Sequence, residues 1–211
     1  MSEADSVAVD PHKWLYAPLE AGCSLVKNPK HLLDAFSYHP SYYRFDSDSG
    51  DFALNFFDYG PQNSRGFRAL KVWMSIRQVG AKGYSKMISD DIALSARLFQ
   101  NTSANPSLEA CTQSLSITTF RFVPANLKSS IGQKETEDYL NRLNEELLTR
   151  LQSSGEAFLS NAVLKNNKFV LRACIVNFRT SAKDIDELPG IVVKIGERID
   201  AEMRHKDATI V

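Results

Sequence analysis

The sequence predicts an α/β chain whose second half is a small α+β domain. Three observations carry this. Residues 4–9 alternate, with Val7 and Val9 on one side, as in a short strand. Phe67, Leu70, Trp73, Met74, Ile76 and Val79 recur at helical spacing. From about 114 to 204 the patterns run strand, helix, strand, strand, helix, the order of a helical layer on an antiparallel sheet.

Asp10-Pro11 ends the first strand, because proline lacks a backbone donor and biases the residue before it to an extended shape. Leu15 to Val26 reads as a second strand or hairpin broken near Glu20-Ala21-Gly22, and Pro29 opens a short helix through Phe36. In residues 37–63, Tyr38, Tyr42, Tyr43, Phe45, Phe52, Phe56, Phe57 and Tyr59 are mixed with Asp46, Ser47, Asp48, Ser49, Gly50 and Asp51. Aromatic rings are costly to leave in water. This long loop is therefore either packed on its own domain or serves as a lid or interface segment.

The helix of the 67–79 stripe, with Arg68, Lys71 and Arg77 off the stripe, stops at Gly80. A second helix fits Tyr84 to Phe99 through Ile88, Ile92, Leu94 and Leu98. After Asn105-Pro106, Leu115, Ile117, Thr119, Phe120 and Phe122 mark a strand over 114–123. A loop over 124–134 leads to an amphipathic helix on Leu140, Leu143, Leu147 and Leu151. Residues 162–164 and 169–176 form two strands joined by an Asn166-Asn167 turn. The tail from Ser181 is a helix on Ile185, Leu188, Val192, Ile195 and Ile199, kinked or restarted at Pro189. The domains expected are residues 1–105 and 106–211.

Lys plus Arg equals Asp plus Glu, at 25 each, so no basic surplus points to nucleic acid or an anionic membrane. A hydrophobic fraction of 43% is too high for disorder, and the apolar runs are too short for a membrane helix. The acidic start Met1-Ser2-Glu3-Ala4-Asp5 is not expected to be a signal peptide. Cys23, Cys111 and Cys174 are odd in number and widely spaced. They read as buried thiols in a reducing compartment, with neither a metal site nor a disulfide framework, and a cytoplasmic location is expected.

The stretch richest in chemistry is Asp10-Pro11-His12-Lys13. A lysine directly behind a histidine, at the end of a short strand, is suited to hold an aldehyde cofactor as a Schiff base. The histidine can then stack on that cofactor or hydrogen-bond it.

Further blocks accompany this one. Asp10-Pro11-His12-Lys13-Trp14-Leu15 is followed by Cys23-Ser24, by Ser64-Arg65-Gly66-Phe67-Arg68-Ala69-Leu70-Lys71-Val72-Trp73, and by Phe169-Val170-Leu171-Arg172. In this order they resemble the pyridoxal-phosphate-dependent amino-acid decarboxylases of the aromatic-amino-acid, tyrosine and glutamate type. The resemblance implies the end of the large domain of an aspartate-aminotransferase-type fold plus the C-terminal α+β small domain. It implies pyridoxal 5'-phosphate as cofactor, Lys13 as the Schiff-base lysine, and His12 and Asp10 near the cofactor phosphate. Asp10 stands where animal enzymes commonly have asparagine, and a carboxylate beside a phosphate is unfavourable unless protonated or turned away. It also implies an amino-acid substrate and a homodimer with shared sites, in which the loop around residues 45–60 closes over the substrate, the neighbouring subunit's by this reading.

In the aromatic decarboxylases a loop tyrosine returns a proton to the substrate carbon after carbon dioxide leaves. Counting back without gaps from Arg65, that position is Phe56, with Phe57 beside it, and phenylalanine has no proton to give. Tyr59 serves if the loop is locally shifted. In some plant relatives phenylalanine here accompanies decarboxylation with deamination to an aldehyde. Ser64 matches a serine that accompanies phenolic substrates.

The pyridine-nitrogen aspartate, the ring-stacking histidine and the phosphate donors lie upstream of the lysine in the family. The chain is therefore expected to be a C-terminal piece of such a decarboxylase. It would be either a lyase or a non-catalytic fragment that associates with a full-length partner.

Overall fold

The computed structural model describes residues 3–40, 42 and 55–209. The expectations for Tyr43, Phe45, Phe52 and residues 46–51 lie outside the described residues. The chain divides into two compact units, Met1–Ala81 and Lys82–Val211. This division falls within a helix, well before the boundary expected at 105/106.

In the first unit, β1 (Ser6–Val9) pairs antiparallel with β2 (Cys23–Val26), with Val9 opposite Cys23. β2 is shorter than the strand or hairpin expected over 15–26, because the chain turns sharply after Pro11 instead of extending. Lys13 N–H donates to Asp10 O, Tyr16 N–H to Lys13 O and Ala17 N–H to Pro11 O. α1 (Lys30–Phe36) follows Pro29 as expected. A 3-10 turn covers Phe56–Tyr59.

α2 (Arg68–Ala104) contains the two helices expected, broken at Gly80, where φ is +68° and ψ 168°. That conformation is open to glycine and strained for other residues. The stripe before the break is not a core stripe: Phe67, Leu70, Trp73, Met74 and Ile76 are all exposed. Among the described residues of this unit the buried apolar side chains are Pro11, Ala17 and Ala21.

The second unit holds the core. β3 (Leu108–Ser114), β4 (Ile117–Phe122), β5 (Ser160–Leu164) and β6 (Lys168–Cys174) form one antiparallel sheet in the order β3-β4-β6-β5. α3 (Lys134–Ser154) and α4 (Ala182–Thr209) pack on it. Leu140, Leu143, Leu147 and Leu151 are fully buried with Phe120, Phe122, Leu171, Val192 and Ile199. Asn144 is buried among them, and its amide pairs both the N–H and the carbonyl of Phe122.

Three expectations change here. The order is strand-strand-helix-strand-strand-helix, because β3 adds an edge strand that carries little apolar signal. The helix from Ser181 continues through Pro189 without a restart, and Ser181 and Asp184 cap its start reciprocally. Cys23 and Cys174 are exposed and Cys111 is partly buried, so the expected burial of all three thiols does not hold. The Asn166-Asn167 turn is present, both residues having positive φ. No helix among the described residues is long and apolar enough to cross a membrane.

Candidate active site

β1 and β2 form a clamp whose open end, residues 10–22, carries the lysine. Since Val9 and Cys23 are paired, this connection leaves and returns at one place. The turns after Pro11 put Lys13 at its surface, with the side chain 66% exposed. Lys13 Nζ lies 2.6 Å from Asp10 Oδ2. The hydrogen bond and charge of Lys13 hold the Asp10 carboxyl below the usual carboxylate range.

His12 is fixed from the other arm of the connection. Its Nδ1 lies 2.7 Å from Ala21 O, where an N–H on that nitrogen donates to the carbonyl. The neutral ring then carries its lone pair on Nε2. Trp14 Nε1 is buried without a hydrogen-bond partner among the described residues.

A cleft of about 1140 Å³ opens beside this turn. Pro11 and residues 20–23 form one wall, Asn55, Phe56 and Phe57 a second, and Gln62 through Ala69 with Val72, Trp73 and Ile76 the rest. Arg68 donates to Glu20, tying the start of α2 to the β1–β2 connection, and this hydrogen bond, with the Arg68 charge, holds the Glu20 carboxyl below the usual range. Arg65 Nη2 donates to Phe56 O at 3.2 Å.

The structure thus brings Phe56, Phe57 and Ser64 together on one cleft. Asp10, His12 and Lys13 cluster on the adjoining turn, and Tyr59 ends the 3-10 turn without lining the cleft. Ala21 links the two groups, since it accepts from His12 and also lines the cleft. Sequence reasoning missed Ser37, His39 and Asp58, which meet behind the 3-10 turn. The signal was an acid set directly among aromatics, Phe56-Phe57-Asp58-Tyr59, which requires a polar partner if buried.

Residues 1–123 match the family described as pyridoxal-dependent decarboxylase conserved domain. The chain belongs to this family. It is 32% identical to the aromatic-L-amino-acid decarboxylase of Bacillus atrophaeus over 93% of this chain and 39% of that protein. It is 28% identical to the phenylacetaldehyde synthase of a Rosa hybrid cultivar over 90% of this chain and 37% of that protein. A crystal structure of Oryza sativa TDC with PLP and tryptamine superposes with a TM-score of 0.79 at 24% identity, covering 94% of this chain and 40% of that one. This likeness shows the shared fold, an α/β arrangement of the aminotransferase type. The chain spans about two fifths of the length of the curated relatives it matches.

The residues around Lys13 fit the reactive end of the family's cofactor. An exposed amine suits an aldehyde, while the imidazole of His12 and the orphan indole N–H of Trp14 suit polar or anionic groups beside it.

Proposed function

We propose that the chain serves in pyridoxal-phosphate-dependent decarboxylation of an aromatic L-amino acid, with Lys13 as the covalent anchor of the cofactor. The observation that carries this is the exposed Lys13 amine beside a fixed His12, in a chain whose residues 1–123 match the family.

When bound, the cofactor supplies the electron sink for the carbon that loses its carboxylate. Lys13 presents the amine once it parts from Asp10. His12, held by Ala21, orients the group beside it. Phe56 and Phe57 offer an apolar wall to an aromatic side chain and exclude water, while the Ser64 hydroxyl on the same cleft suits a phenol such as tyrosine or Dopa. The substrate carbon then needs a proton, and a phenol in this segment is one group that can give it. Tyr59 in the 3-10 turn and the exposed Tyr38 and Tyr42 are the described phenols of this segment.

A second product is favoured by one observation: rings without a hydroxyl, Phe56 and Phe57, line the cleft. With no proton delivered to that carbon, dioxygen takes two electrons from it and two protons from solvent and becomes hydrogen peroxide. Water then adds to the oxidised, imine-level carbon, ammonia leaves, and the aldehyde remains.

The exposed apolar face of Phe67, Leu70, Trp73, Met74 and Ile76 supports action within a larger assembly, a homodimer or a complex with a longer relative, and not as a lone monomer. The three free thiols support a reducing, cytoplasmic setting.

The test is to mix the chain with pyridoxal phosphate, reduce with borohydride and map the modified peptide, with Lys13→Ala alongside. Label on Lys13 alone, lost in the variant, is the expected result. Equal labelling of other lysines overturns the assignment. Turnover is then read as carbon dioxide, amine, aldehyde and peroxide from tyrosine, Dopa and tryptophan, for the chain and for Tyr42→Phe and Tyr59→Phe.

A further inference from the structure

The turn that carries Phe56 and Phe57 is short and has little to hold it. A four-residue 3-10 helix has few internal hydrogen bonds, and Asp58 N–H donates to Asn55 O, at 3.1 Å, where this one begins. Its conformation must come from outside. On the side away from the cleft, Asp58 is buried. Its Oδ1 accepts from His39 Nε2 at 2.8 Å and from Ser37 Oγ at 3.1 Å. Ser37 is the residue at which α1 ends, its own N–H bonded to Leu33 O, so the anchor is attached to a formed helix. The His39 ring also stands edge-on to Phe57, with centroids 6.4 Å apart and planes at 71°. One imidazole therefore fixes both the backbone turn, through Asp58, and the ring that lines the cleft.

We propose that Ser37, His39 and Asp58 are positioning residues that set Phe56 and Phe57 on the cleft wall and thereby decide which aromatic side chains the cleft accepts. This rests on the reading that the cleft receives the side chain of an aromatic substrate. None of the three lines the cleft, so they act through the turn. The physical basis is that removing these donors leaves a buried acceptor unsatisfied, which costs more than the bonds themselves contribute. Losing them lets a marginal turn move, and a displacement of about 1 Å in a positioning element can cost a site as much as ~100-fold.

The experiment needs no cofactor. Trp73 lines the cleft, and the chain has one other tryptophan, Trp14. The 211-residue chain is titrated with tyramine, a probe carrying the phenolic side chain, while tryptophan emission is followed. A Trp73→Phe chain supplies the Trp14 background. Saturable quenching that depends on Trp73 is expected. His39→Ala and Asp58→Ala are expected to raise the Kd about tenfold, and Asp58→Asn, which keeps an acceptor oxygen, by about threefold. Phenethylamine is expected to gain relative to tyramine in the alanine variants. Circular dichroism and the unfolding midpoint of the second unit should not move.

A wild-type Kd in both alanine variants overturns the proposal, and so does the absence of saturable quenching in the parent chain. Should Asp58→Ala fail to fold, His39→Gln and Asp58→Asn decide by the same criterion. The borohydride label at Lys13 is read separately. Label with unmoved Kd values refutes the positioning cluster and leaves the anchor standing. Shifted Kd values without label do the reverse.

Discussion

Lys13 Nζ is paired with Asp10 Oδ2 at 2.6 Å, so the group that would meet an aldehyde is engaged by the residue at the end of its own strand. The pair must open before a bond to carbon can form. Asp10→Asn removes the partner and keeps the shape. The expected outcome is a rate of pyridoxal phosphate capture about two- to fivefold higher, the size of effect an exposed pair can exert. Stopped-flow absorbance near neutral pH checks it. An unchanged rate would mean that the pair opens too readily to matter.

The second unit depends on a buried cation. The Arg121 side chain is fully buried, with Nε 2.6 Å from Glu109 Oε2 and Nη1 2.7 Å from Glu137 Oε2. Lys168 adds a third link to Glu109 at 2.7 Å. The hydrogen bond from Arg121 draws the Glu137 carboxyl from its ordinary 4.5 down to about 2. A carboxylate whose folded value is depressed stabilises fully above its unfolded value and loses that contribution as pH falls through the folded one. The urea midpoint should therefore be flat above pH 4.5 and fall as pH drops toward about 2. Arg121→Met leaves Glu137 without its cation and Glu109 with Lys168 alone, and should cost about 3 kcal/mol at neutral pH. It should also flatten the acid limb.

Legibility followed physics that acts locally. The leucine stripe of α3 was visible because each member is fully buried against one sheet. The β5–β6 turn was visible because Asn166 and Asn167 tolerate positive φ. β3 was hidden because Leu108 is its one buried residue, so an edge strand looks like loop. The stripe of α2 announced an apolar face, while periodicity cannot say what covers it. At the site, Asp10, His12 and Lys13 are neighbours in sequence and could be read directly. Ser37 and Asp58 are 21 residues apart, and only the fold brings them within 3.1 Å.

Two glycines of α4 should respond oppositely to alanine. A Cβ at Gly196 would stand 2.5 Å from Phe122 Cγ, and the Phe122 ring is itself buried and cannot swing away. Gly196→Ala is expected to destabilise by about 2 kcal/mol through overpacking. A Cβ at Gly190 meets nothing within 4 Å, so Gly190→Ala should stabilise by about 0.5 kcal/mol through helix propensity. Urea unfolding of both variants at one temperature gives the comparison. Equal effects would mean that α4 shifts to relieve the contact.

The cysteines offer a test of the burial pattern that needs no mutation. Cys111 lies on β3 with its thiol partly buried beside Glu109. Burial first, and the Glu109 charge second, push its pKa up to about 11. The thiolate is the species that attacks a disulfide reagent, so at mildly alkaline pH Cys111 is almost wholly in its unreactive form. Cys23, at the start of β2, and Cys174, at the end of β6, are exposed. An aromatic disulfide reagent should therefore label Cys23 and Cys174 quickly in the folded chain, and Cys111 only after denaturant is added. The split also reports on the acid network. Arg121→Met removes a cation whose charge lowers the Cys111 value, and it loosens the sheet that buries the thiol. The first change alone would slow labelling and the second would speed it. Because the thiolate fraction is already very small, exposure wins, and faster labelling of Cys111 in that variant is the expected result. Peptide mapping of the labelled chain over time settles which of the two dominates.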